Sequence, residues 1–78
     1  MEFIVETIIN GGKTQKRIDA ENFVAAENMV RNPALQNGET VIDVLYGDMS
    51  SSGVSIIRTI IGDSNIERRI YPARINNK

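Results

Sequence analysis

The chain has 78 residues, of which 41% are hydrophobic and 24% charged, and it contains neither cysteine nor histidine. A chain this short forms one domain, and this composition is typical of a folded protein rather than a disordered tail. The net charge of −1 argues against a general affinity for nucleic acid or anionic lipid. No stretch approaches the roughly 20 apolar residues that span a bilayer, and the acidic start, residues 1–6, is unlike a signal peptide. We expect a single cytoplasmic domain over residues 1–78, with a frayed tail at residues 73–78.

A β-hairpin is predicted at the start of the chain. Residues 3–9 are rich in β-branched residues, residues 10–12 read Asn-Gly-Gly, and residues 13–18 resume as a second strand. The two-residue loop is either residues 10–11 or residues 11–12, and the second choice places Glu6 opposite Arg17. Period-2 alternation predicts one core-facing set: Phe3, Val5, Ile9 and Ile18.

A helix is predicted to follow this hairpin. Asp19 is suited to cap it, and Pro33 disfavours helical geometry at the preceding residue, so the helix should end near Arg31. Apolar residues recur at three- and four-residue spacing and should face the sheet: Ala20, Phe23, Val24, Ala26, Met29 and Val30. The opposite side is polar and includes Glu27.

Three further strands are predicted, at residues 39–46, 54–61 and 66–71, with a polar loop at residues 47–53. The fold class is therefore α+β, an antiparallel sheet with elements in the order β-β-α-β-β-β and one helix packed on one face. The third and fourth strands carry apolar residues on both faces, and one helix cannot cover two faces. Either these strands lie centrally and loops cover the second face, or another copy or a partner covers it. Without disulfides to stabilise so small a core, we favour a homo-oligomer, with a dimer first.

The composition excludes most active sites. Without histidine the chain lacks the commonest general base, and without cysteine it lacks the usual thiol nucleophile. These two residues are also the ordinary zinc ligands. No nucleotide-binding or calcium-binding motif occurs. We expect no enzyme activity, no cofactor and no metal.

A carboxylate mechanism would need Glu39 and Asp43, which are four residues apart and predicted to share a strand face. The alternative is that Glu39 is solvated and Asp43 is exposed or pairs with an arginine. The serines at 50–52 could accept phosphate or bind an anion, but we favour a flexible loop there.

Charge is distributed unevenly along the chain. Residues 19–53 carry a net charge of −5 and residues 54–78 carry +3. The basic segment combines arginines with one aromatic ring, a pattern found in surfaces that bind single-stranded nucleic acid: Arg58, Arg68, Arg69, Arg74 and Tyr71. The acidic and basic regions are also suited to pairing with each other, within one molecule or between two copies.

The first third of the chain resembles small ββα proteins of bacteriophages. The similarity rests on residues 3–7, the Asn-Gly-Gly-Lys turn at 10–13, and residues 17–22 leading into an alanine-, methionine- and valine-containing helix. It implies a virus-encoded accessory or host-modulating protein and brings no catalytic residues.

The function predicted from the sequence is a non-enzymatic interaction module that acts through protein–protein contact as a homo-oligomer. The alternative is an accessory protein that binds single-stranded nucleic acid through its basic C-terminal strand. Large aromatic and arginine side chains dominate interface energies, so the predicted contact residues are Leu45, Tyr46, Ile57, Arg58, Arg68, Arg69 and Tyr71.

Overall fold

The computed structural model describes residues 1–46 and 53–73, with only the backbone of Tyr46. It contains five strands and one helix, in the predicted order: β1 (Glu2–Ile9), β2 (Gly12–Asp19), α1 (Phe23–Gln36), β3 (Thr40–Tyr46), β4 (Ser55–Ile61) and β5 (Ser64–Pro72). The predicted α+β class is confirmed. Residues 47–52 of the predicted loop and residues 74–78 of the predicted tail lie outside the described residues.

All five strands form one antiparallel sheet in the order β2-β1-β5-β4-β3. The first and last strands pair along their length, from Phe3 opposite Pro72 to Ile9 opposite Ile66. β5 is therefore the middle strand, because it pairs with both β1 and β4. β3 lies at one edge and β2 at the other, so the alternative in which β3 and β4 both lie centrally does not hold.

The hairpin turn consists of Asn10 and Gly11. Both have positive φ, 50° and 84°, the combination that a type I′ turn requires and that asparagine and glycine tolerate best. Of the two registers considered, the one with the loop at residues 10–11 is therefore correct. Glu6 pairs with Gln15 rather than Arg17.

The helix begins and ends later than predicted. Its N-cap is Asn22, whose side-chain oxygen accepts from the Ala25 amide at 2.8 Å, whereas Asp19 ends β2 and pairs with the N-terminal amine. Pro33 lies inside the last turn. It removes one helical hydrogen bond, but the buried Ala34 packs that turn on the sheet, and tertiary contact overrides the local preference.

The core lies between α1 and one side of the sheet, the helix side. Its buried residues are Phe3, Val5, Ala26, Val30, Ile57 and Ile70, with Phe23 edge-on to Phe3 at a centroid distance of 5.0 Å. Small side chains at positions 26 and 34 let the helix approach closely. Val24, predicted to face the core, is 65% exposed, and Met29 is also exposed. Glu27, predicted on the polar side, is buried and accepts a hydrogen bond from Ser55.

The observed cap predicts different effects for two similar substitutions. Asn22→Ala removes the acceptor for the Ala25 amide and should lower the free energy of unfolding by about 1 kcal/mol. Asp19→Ala removes only an exposed pair with the N-terminus and should change it much less. Urea denaturation of both variants measures the difference. Equal losses would mean that residue 22 does not cap the helix.

Candidate interaction surface

The side of the sheet opposite α1, here called the open face, has no described helix or strand packed over it. Strand pairing determines its membership, because side chains alternate between the two sides and directly paired residues share a side. The open face consists of Glu2, Ile4, Glu6 and Ile8 of β1, Lys13, Gln15, Arg17 and Asp19 of β2, Thr40, Asp43 and Leu45 of β3, Ile56, Arg58 and Ile60 of β4, and Asn65, Glu67, Arg69 and Tyr71 of β5.

A row of charges of alternating sign crosses the open face from β2 to β3. Its order is Lys13, Glu6, Arg69, Glu67, Arg58 and Asp43. The tightest contact is Arg69 Nε to Glu67 Oε2 at 2.6 Å, and the other neighbouring pairs lie at 3.7–3.9 Å. The hydrogen bond to Glu67 raises the pKa of Arg69 above its usual range, so this arginine stays charged. The row has no net charge, and its exposed pairs contribute little to folding.

Apolar side chains flank this row. Leu45 is 42% exposed, and Ile4, Ile8, Ile56 and Ile60 are half-buried. Ile42, 53% exposed, borders a hollow of about 370 Å³ together with Ile8 and Arg58. The open face therefore combines hydrophobic patches with charges of both signs, a mixture that is found in protein–protein interfaces.

A β-bulge separates the two carboxylates predicted to share a strand face. Thr59 pairs with Val41, but the next residue of β4, Arg58, pairs with Asp43, which leaves Ile42 as an extra residue. Glu39 consequently points to the helix side and Asp43 to the open face. The prediction that the two carboxylates share a strand face is therefore wrong. The alternative is half right: Asp43 pairs with Arg58 at 3.9 Å, but Glu39 is buried rather than solvated. Among the described residues, Asp43 Oδ1 has no hydrogen-bond partner.

Glu39 forms a buried polar cluster with two neighbours on the helix side. Arg68 donates to both carboxylate oxygens, at 2.7 and 3.0 Å, and the Thr59 hydroxyl donates at 2.6 Å. These bonds, that from Arg68 above all, hold the pKa of Glu39 below its usual value although burial opposes them. With Glu39 only 8% exposed, the cluster links the start of β3 to β4 and β5.

The predicted contact residues divide between the two sides of the sheet. Leu45, Arg58, Arg69 and Tyr71 lie on the open face. Ile57 and Arg68 lie on the helix side, where Ile57 is 1% exposed and Arg68 is held by Glu39, so neither is available to a partner there. The side chain of Tyr46 lies outside the described residues. Glu6 and Glu67 were missed, although their place in the period-2 pattern of β1 and β5 would have identified them.

The three described arginines of the predicted basic surface, Arg58, Arg68 and Arg69, do not lie on one side of the sheet. Arg68 faces the helix, while Arg58 and Arg69 face the opposite way and lie next to acidic residues. Phosphate binding depends on excess positive charge, and the described part of the open face has none. Arg74 and Lys78 lie outside the described residues, as do the serines at 50–52.

In residues 1–46 and 53–73, no helix has the length and apolar character needed to cross a membrane. The same residues contain no group of three acidic side chains arranged to hold a metal ion. Comparison with protein-family models, with curated proteins and with solved structures gives no match.

The buried cluster predicts a pH dependence of stability. Because the pKa of Glu39 is lower in the folded than in the unfolded chain, its stabilisation is complete above its ordinary value of 4.5 and is lost as the pH falls through the folded value. Glu39→Gln should therefore reduce the free energy of unfolding at pH 7 by about 2 kcal/mol. The loss should shrink in acid.

Thermal or urea unfolding from pH 7 to pH 3 checks this. Glu2→Gln, which breaks an exposed pair with Arg17, is the matched control and should have a small effect at every pH. A loss for Glu39→Gln that is the same at both ends of the range would contradict the assignment.

Proposed function

We propose that the protein is a non-enzymatic interaction module that forms a homodimer through its open face. One observation carries this proposal. No described helix or strand covers the open face, although this face contains an exposed leucine and several half-buried isoleucines. Surfaces of this kind mark contact sites. Tyrosine and arginine, which are enriched in interfaces, are present as Tyr71, Arg58 and Arg69.

The row of charges supports a second copy as the occupant. Two-fold dimers bring the same patch of each copy together, and a row that begins with a cation and ends with an anion is complementary to its own reverse. If the two-fold axis runs along β5, Lys13 faces Asp43 of the second copy, and Glu6 lies diagonally from its Arg58, two residues away along β4. Arg69 and Glu67 of both copies then form a neutral group of four on the axis. Such matching favours one orientation over others.

Leu45→Lys should abolish the dimer, because it places a charge in the apolar part of the contact. Light scattering or analytical ultracentrifugation over a wide range of protein concentration measures this as a loss of the heavier species. Leu45 is exposed, so the variant should still fold, and circular dichroism verifies that it does.

Val24→Lys is the matched control, because Val24 is an exposed apolar residue on the outer side of α1. It should leave the dimer intact. A wild-type chain that is monomeric at every concentration, or equal dissociation by both variants, would refute the open-face dimer.

A charge exchange tests the orientation of the two copies. Lys13→Asp alone should weaken the dimer, because it faces Asp43 of the second copy with a like charge. Adding Asp43→Lys should restore most of the lost affinity. Sedimentation equilibrium gives both constants. If Lys13→Asp strengthens the dimer, Lys13 faces itself and the axis runs across the strands instead.

We also propose a biological role, on the basis of the resemblance of residues 3–30 to bacteriophage proteins. That resemblance implies a host-modulating accessory role, in which a host protein competes with the second copy for the open face. This part of the proposal rests on the resemblance alone.

A further inference from the structure

A cleft on the helix side of the sheet lies apart from the open face. It has a volume of about 320 Å³ and lies between the second half of α1 and strands β1 and β2. The helix approaches β3 and β4 most closely, so the far half of the sheet is less covered. The apolar lining includes Val5, Ile18, Val30 and Ala34. This volume is at the lower end of the range for small-molecule sites, about 300–1,000 Å³.

The charged groups around the cleft are all cationic. Lys16 and Arg68 line it, and no acidic side chain does. Arg68 has both terminal nitrogens bonded to Glu39, and that pair is neutral. Lys16 is exposed and makes no ion pair or side-chain hydrogen bond with the described residues. Among the residues that the structure describes, Lys16 is therefore the one unpaired positive charge beside the apolar floor of the cleft.

We propose that this cleft binds a small amphipathic monocarboxylate, with its carboxylate at the Lys16 ammonium and its alkyl or aryl part on the apolar floor. A single free cation matches a single negative charge. Thr7, which also lines the cleft, supplies a hydroxyl that can donate to the same headgroup. A small anion without an apolar part should bind more weakly. Only a ligand with an apolar part can cover the apolar residues of the cleft and displace the water from them.

Octanoate is a suitable probe for titration of the full chain, followed by amide chemical shifts. Binding should be saturable, with the shifts concentrated at Thr7, Lys16 and Met29. Acetate lacks the apolar part and octanol lacks the charge, so each should bind at least several-fold more weakly. Absence of saturable shifts with octanoate, or equal affinity for octanol, would overturn the proposal.

Two lysines of the same strand provide a matched pair of variants. Lys16→Gln should weaken octanoate binding about tenfold, since it removes a charge-assisted contact. Lys13→Gln, on the opposite side of β2, should leave it unchanged, and equal losses would mean that octanoate senses only overall charge. Leu45→Lys should bind octanoate like the wild type, so the result does not depend on whether the chain dimerises.

Discussion

One short helix on a wide sheet is the constraint from which the surface properties of this protein follow. A helix is about 10 Å across, whereas five strands spaced about 4.8 Å apart span about 19 Å. α1 therefore covers part of one side, packs closest to β3 and β4, and leaves two partly apolar surfaces uncovered. The first is the whole open face, and the second is the cleft over β1 and β2.

The sequence predicted what depends on local pattern. Alternation, the Asn10-Gly11 turn and the helical spacing sufficed for the order of elements and for most of the core. The errors arise where tertiary contacts override local preference. Asn22 caps the helix in place of Asp19, because Asp19 is still paired within the hairpin. Pro33 stays helical, because the last turn is packed on the sheet.

The candidate site was harder to predict, because its composition depends on pairing between distant strands. A single extra residue, Ile42, sends Glu39 and Asp43 to opposite sides, and no periodicity rule signals a bulge in advance. Likewise, Arg68 and Arg69 are adjacent in sequence but face different ways. One joins a buried cluster and the other joins the charge row, so a run of basic residues in the sequence does not become a basic surface.

The central position of β5 also determines when this protein can fold during its synthesis. β5 contributes the pairings that join the β1–β2 hairpin to β4 and β3, yet it is the last of these five strands to be synthesised. Until then the nascent chain contains a hairpin, a helix and two strands that are not joined in one sheet. The pairing of β1 with β5 also links residues far apart in the sequence, and contacts of this kind form slowly. The five-stranded sheet therefore cannot close before β5 is synthesised, and the edges of β1 and β4 stay unpaired until β5 inserts between them.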